Sequence, residues 1–156
     1  MTPLLILDLD GTLAKLSHRT AVAGDEPPRD DKAAYQRWLD LLQPPGALLS
    51  DPPIEQTVWL ARTLRDQCNM VYLTGRAEMH RADTLLWMQR HGLPEAPLIM
   101  RRNDDYRTAA EYKEEELINL KKYFVGPVLV VDDDAAGDCS PMYVRHGALH
   151  LKVVGE

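Results

Sequence analysis

The chain has 156 residues, 45% hydrophobic and 27% charged, with 18 Lys and Arg against 24 Asp and Glu for a formal charge of −6. A length of this order buries roughly 68–70% of the surface of the unfolded chain, enough for a core without staples, so a disulfide mini-protein is excluded. Ordinary apolar content, no glycine period and no long charge block argue against collagen-like, coiled-coil and disordered chains, and the net acidity argues against non-specific adhesion to nucleic acid or anionic membrane.

Short apolar runs alternate with helical patterns, which is the signature of βα units around a parallel sheet. The expectation is a single α/β domain over residues 1–156, with a doubly wound, Rossmann-like parallel sheet of about five strands. The first run, residues 4–9, stops at acids and has no basic leader. It is too short for a signal peptide or a membrane span, so a cytoplasmic protein without a membrane partner is expected. Residues 17–53 break the alternation with a short helix near 32–42 and two proline-rich breaks, and are expected to form a flap or cap over one end of the sheet.

Residues 54–66 carry Val58, Leu60, Ala61 and Leu64 at helical spacing, introduced by Asp51 and Pro52 as cap and first-turn proline. Further strands are expected at 70–73, 97–100 and 128–131, and a weaker one at 148–153, each buried on both faces. A helix over 78–91 should turn Met79, Ala82, Leu85 and Leu86 inward and stop at Gly92. Another begins at Thr108, which stands at capping-box spacing from Glu111, and points Lys113, Leu117, Leu120 and Phe124 inward. Core packing is expected for Trp59 and Trp87. Cys68 and Cys139 show no metal-ligand spacing and read as reduced thiols.

In an open parallel sheet, ligands bind outside the carboxyl ends of the strands. After the first run come Asp8, Leu9, Asp10, Gly11 and Thr12. A side-chain period of two puts Asp8 and Asp10 on one face, where they repel unless a cation or proton intervenes. A loop-capping Asp-Gly pair explains this motif about as readily. After the second run come Thr74, Gly75 and Arg76: a hydroxyl, a glycine that admits a ligand to the backbone, and a guanidinium suited to an oxyanion. A Thr-Gly pair that merely ends a strand, with Arg76 as a solvated helix start, is the commoner arrangement. Lys113 lies on an inward helical face near a positive helix end, which calls for an anion in front of it; a packed stem with a solvated ammonium is the simpler alternative. After the fourth run come Asp132, Asp133 and Asp134, where a cap needs only one acid. Such oxygen-only donors suit a hard cation such as Mg²⁺. Together, acids, a hydroxyl, a lysine and more acids converging at one sheet edge make a phosphoryl-transfer site.

These residues, in this order, resemble the motifs of the haloacid dehalogenase superfamily of phosphotransferases. Its DxDGT motif matches Asp8 to Thr12, its Ser/Thr motif Thr74, its Lys motif Lys113 and its acidic motif Asp132 and Asp133. More narrowly, residues 7–15, Thr74-Gly75-Arg76, residues 98–100 followed by Arg107, and Lys113-Glu114-Glu115 look like the 3′-phosphatase domain of phage-type polynucleotide kinase-phosphatases. The sequence lacks a GxxxxGK[ST] motif, and residues 17–53 look longer than the corresponding connection.

The resemblance implies a Mg²⁺-dependent phosphomonoester hydrolase acting on 3′-phosphate ends of polynucleotides in nucleic-acid repair. Asp8 would be the nucleophile, Asp10 the acid and base, and Thr74 and Lys113 charge stabilisers. The metal would be held by Asp8, the carbonyl of Asp10, Asp132 and, through water, Asp133. Thr12, Gly75, Arg76 and Arg107 are the expected substrate contacts. Residues 76–107 contain six basic groups against five acidic ones in an otherwise acidic chain. Trp38 and Tyr106 are candidate stacking platforms for a single-stranded end. The competing readings are a phosphatase of small nucleotides or sugar phosphates and a receiver-like phospho-aspartate domain. The latter is disfavoured by a DxDGT motif on the first strand.

Overall fold

The computed structural model describes residues 1–154. Five parallel strands, β1 (Leu4–Leu7), β2 (Asn69–Ala77), β3 (Leu98–Arg101), β4 (Val128–Asp132) and β5 (Leu149–Lys152), form one sheet in the order β3-β2-β1-β4-β5. The order reverses beside β1, which places the first strand at the switch point of a doubly wound sheet, where ligands bind. Among the described residues six α-helices accompany it: α1 (Ser17–Ala23), α2 (Lys32–Leu42), α3 (Glu55–Leu64), α4 (Arg81–Arg90), α5 (Ala109–Lys121) and α6 (Cys139–Arg145).

Alternation along β1 builds two cores. Leu5 and Leu7 face α3 and α4, packing with Val58, Ala61 and Trp87. Leu4 and Ile6 face α5 and α6, packing with Tyr112, Leu117, Met142 and Tyr143. Four of the five strands are largely buried, as their two-sided apolar character predicts. The exception is β5, an edge strand in which Leu149 and Leu151 are exposed. Its apolar run therefore reads too deep.

The Thr108–Glu111 capping box closes in both directions, with the Glu111 N–H donating to Thr108 Oγ1 at 3.2 Å and the Thr108 N–H to Glu111 Oε2 at 2.8 Å. Gly92 takes a positive φ of 63° just after α4, where a left-handed residue ends a helix. Three expectations fail. Met79, Ala82, Leu85 and Leu86 are exposed, and the buried face of this segment is His80, Thr84, Trp87 and Met88. Trp87 wins because its large ring fills the core while its indole N–H donates to the Asp51 carbonyl at 2.8 Å. Trp59, expected in the core, is 64% exposed on α3. Asp51 does not cap α3, whose preceding residue Ile54 makes no side-chain cap; Asp51 is buried in a charge network instead.

Residues 17–53 fold into α1, α2 and a short 3₁₀ turn, Ala47–Ser50. Helix α2 begins at Asp31, whose carboxylate accepts the Ala34 N–H at 2.9 Å. The segment is fastened to the sheet side by Ile54 N–H donating to Leu13 O at 2.7 Å, and by the Tyr106 hydroxyl donating to Gln36 Oε1 at 2.9 Å. It forms one wall of a cleft of about 800 Å³ whose floor contains Asp8 and Asp10. No helix among the described residues is long and apolar enough to cross a membrane. Cys68 and Cys139 are both free thiols, and burial pushes Cys139 well above the ordinary thiol range.

Candidate active site

The strand ends bring the acids together. Asp8 follows β1 directly, its N–H donating to Val131 O on β4 at 3.0 Å, so Asp8 and Asp132 leave adjacent strands at the same level. Between them stands Lys113 of α5, its Nζ 2.6 Å from Asp132 Oδ2 and 3.2 Å from Asp8 Oδ1. All three side chains are almost wholly buried. The ammonium therefore does not run out to solvent: its inward position is occupied by two carboxylates.

One cation does not balance this cluster. Carboxylate oxygens of Asp8, Asp132 and Asp133 lie within 4.8 Å of one another. Burial, then the neighbouring acids, raise Asp8 well above the usual carboxylate range in spite of Lys113. Burial and the charge of Asp132 push Asp133 up to about 6. Asp132 goes the other way: burial opposes its charge, but Lys113, the Tyr143 hydroxyl at 2.7 Å and the Asp134 N–H at 2.7 Å hold it ionised. Three oxygen donors with a surplus of negative charge fit a hard divalent cation, for which Asp8, Asp132 and Asp133 are the candidate side-chain ligands.

Thr12 and Gly11 set this geometry. The Thr12 hydroxyl donates to Asp8 Oδ2 at 3.1 Å and accepts the Asp133 N–H at 2.9 Å, tying the first acidic loop to the last. Gly11 has φ 76°, and a Cβ there would lie 2.1 Å from Asp133 Oδ2. Only glycine leaves room for that carboxylate.

Asp10 sits in a second cluster. Arg76, wholly buried, donates from Nη2 to Asp10 Oδ1 at 2.8 Å and to Asp51 Oδ2 at 3.1 Å, and from Nη1 to Thr84 Oγ1 at 3.3 Å. Arg19 of α1 adds a 2.7 Å bond from Nη2 to Asp10 Oδ1. Burial works against the charge on Asp10, yet Arg76 and then Arg19 hold its pKa at about 2. The result is a quartet of two buried arginines, buried Asp51 and partly buried Asp10, with His18 Nε2 3.1 Å from Asp51 Oδ1 at its edge.

The remaining expected site residues are placed as follows. Gly75 lines the cleft. Thr74 is fully buried within β2, three residues before the strand ends, its Oγ1 accepting the Arg76 N–H at 3.1 Å. Arg107 is exposed, bound to Asp105 at 2.7 Å and to Glu115, and is not among the cleft residues. Trp38 lines the cleft, whereas Tyr106 packs edge-on against Tyr35 at 6.0 Å. Asp134 turns away, accepting the Cys139 and Ser140 N–H groups at the start of α6.

No protein-family profile matches the sequence, and no curated protein matches it. Solved structures do. A chain of the Pnkp1/Rnl/Hen1 complex superposes with a TM-score of 0.71 at 22% identity, over 98% of this chain and 46% of that one. A haloacid dehalogenase-like hydrolase of Streptococcus pneumoniae superposes at 0.66 with 10% identity, over 99% of this chain and 85% of that one. The chain has the haloacid dehalogenase-like fold. The HAD domain of the effector Lem4 from Legionella pneumophila shares it at a TM-score of 0.55 and 13% identity, over 98% and 86% of the two chains. The chain spans less than half the length of the complex chain it matches.

Two residues at the centre of this HAD-like fold have no signal in the sequence. Arg19 lies in the irregular stretch after Leu16, with no apolar periodicity to show that it points inward. Asp51, before two prolines, imitates a helix cap. Their pairing is a tertiary fact.

Proposed function

We propose that the protein is a Mg²⁺-dependent phosphomonoester hydrolase that removes 3′-phosphates from polynucleotide ends through an aspartyl-phosphate on Asp8. The observation that carries this reading is Lys113, buried between Asp8 and Asp132 beside a third carboxylate, Asp133, that forms no ion pair among the described residues. That arrangement sets an ammonium beside the carboxylate that attacks and the oxygens of the phosphoryl group it attacks, and its surplus of negative charge calls for a divalent cation. Bound magnesium supplies the remaining positive charge against the repulsion between nucleophile and phosphate.

Asp8 Oδ attacks phosphorus in line and the ester oxygen leaves as an alcohol; water then attacks the acyl phosphate and releases inorganic phosphate. The Thr12 hydroxyl holds Asp8 Oδ2, leaving Oδ1, the oxygen nearest Lys113, for attack. Asp10, ionised between Arg76 and Arg19, is in the form that takes a proton from the attacking water. Its role as proton donor to the leaving alcohol requires Arg19 and Arg76 to loosen. Arg19 is carried by α1, so that step draws on the 17–53 segment.

The HAD-like fold and the superposition on a chain of the Pnkp1/Rnl/Hen1 complex, described as an RNA repair complex, support a role in nucleic-acid repair. So does the cleft wall, where Trp38 stands with Arg29 and Arg102. A phosphatase of small nucleotides or sugar phosphates is the second reading, favoured by the reach of α2 over the cleft. A steady-state assay with Mg²⁺ tests both, using 3′-phosphorylated oligonucleotides, 5′-phosphorylated oligonucleotides and mononucleotides. A polynucleotide enzyme prefers the first and loses activity steeply with salt. Equal turnover of mononucleotides with weak salt dependence selects the second reading.

A further inference from the structure

Each arginine or lysine buried in and around the reaction centre is spent on a carboxylate except one. Lys113 holds Asp8 and Asp132, and Arg19 and Arg76 hold Asp10 and Asp51. Arg101, the last residue of β3, is 7% exposed, yet among the described residues it forms no ion pair. Its Nη1 donates to two backbone carbonyls, Asp105 O at 3.3 Å and Arg107 O, and its guanidinium lies 4.9 Å over the Tyr112 ring. Its Nε is buried without a hydrogen-bond partner. The nearby Asp105 is taken up by Arg107. A buried guanidinium in this condition is costly, and burial lowers its pKa.

Its position says what would repay that cost. Arg101 lines the same cleft as Asp8, Asp10 and Lys113. Strand pairing sets Thr74 opposite Met100, so Arg101 follows at the carboxyl end of the sheet. Gly75 faces it: a Cβ on Gly75 would lie 3.7 Å from Arg101 Nη2 and 4.0 Å from Nε, so the glycine leaves that side of the fork open. A phosphate entering a cleft floored by aspartates needs a cation that no aspartate already claims.

We infer that Arg101 is a substrate-binding residue that takes a phosphate oxyanion of the substrate through its Nη2 edge, in the space kept open by Gly75. This rests on the hydrolase reading for the identity of the substrate, but not for the binding of phosphate. The oxyanion belongs either to the phosphate being removed or to the phosphodiester next to it.

The test begins with the unmodified protein, ¹⁵N-labelled at arginine, titrated with inorganic phosphate in the presence of Mg²⁺. The Arg101 Nε–H resonance is expected to move saturably. Arg101→Lys and Arg101→Gln follow, each compared by melting temperature, kcat and KM. A lost charge-assisted contact raises KM about tenfold or more, with a smaller change in kcat. A rise with both a 3′-mononucleotide and a 3′-phosphorylated oligonucleotide assigns the contact to the departing phosphate; a rise with the oligonucleotide alone assigns it to the neighbouring diester. An unmoved Arg101 resonance overturns the inference, as does an unchanged KM in well-folded variants. A protein without phosphatase activity whose Arg101 signal still responds to phosphate removes the hydrolase reading and leaves this one standing.

Discussion

Arg19 and Asp51 meet in a two-pronged ion pair, Nε to Oδ1 and Nη2 to Oδ2, both at 2.9 Å, and the same Nη2 reaches Asp10 Oδ1 at 2.7 Å. The two residues lie 32 positions apart at either end of the segment that covers the cleft. Both ends of that segment are thereby tied to Asp10, one of the two aspartates of the first loop. Burial pushes the pKa of Asp51 upward and the arginines pull it back, so the pair stands only as part of the whole quartet.

Arg19→Ala leaves buried Asp51 and partly buried Asp10 with one guanidinium between them. Removing one partner of a buried network costs about 3–5 kcal/mol, which urea unfolding at neutral pH measures. The sign of the pH dependence follows from Asp10, whose folded pKa of about 2 lies below its unfolded value. Its contribution is complete above the unfolded pKa and disappears as pH falls through about 2, so the gap between parent and variant narrows toward acid. A gap independent of pH would show that Asp10 is not part of the clamp.

Asp8→Asn keeps the shape of the proposed nucleophile and removes its charge. Turnover in a steady-state phosphatase assay is expected to vanish. Residual activity within tenfold of the parent would refute the aspartyl-phosphate route. Asp8 sits above its ordinary pKa because of burial and like charge, so the variant is expected to melt no lower than the parent in metal-free buffer.

Magnesium is expected to raise the melting temperature by relieving repulsion among Asp8, Asp132 and Asp133. At an ion concentration 100 times its Kd the gain is about 2.7 kcal/mol, or roughly 5 to 10 °C for a domain of this size. Asp133→Asn is expected to melt higher than the parent without metal and to gain less on adding it. Calorimetry with and without a chelator checks both, and a variant with the parent's full magnesium response would remove Asp133 from the donor set.

Gly11→Ala combines a left-handed backbone, which costs a side chain roughly 1–2 kcal/mol, with a Cβ thrust against Asp133. Asp133 must then move. The variant is expected to lose both activity and most of the magnesium-induced rise in melting temperature, while far-ultraviolet circular dichroism stays that of the parent.

The sheet was legible because parallel strands buried on both faces are written as unbroken apolar runs, and Asp8, Lys113 and Asp132 stood out because each interrupts an apolar pattern with a charge. Helix α4 misled, since it has leucines at helical spacing on its exposed side and buries Thr84, Trp87 and Met88 instead. Periodicity reports spacing, and two faces of one helix can both satisfy it.

Sequence alone thus determined the order of the elements and the acids and lysine that gather at the strand ends, because these follow from local pattern and from the topology that pattern permits. Tertiary structure alone decided which arginines are spent and which is left. Arg19 and Arg76 fold onto aspartates, Arg107 pairs outward, and Arg101 is buried without an acid. The pairings of Arg19 with Asp51 and of Arg76 with Asp51 and Asp10 join side chains 25 to 66 positions apart, and no local spacing encodes them.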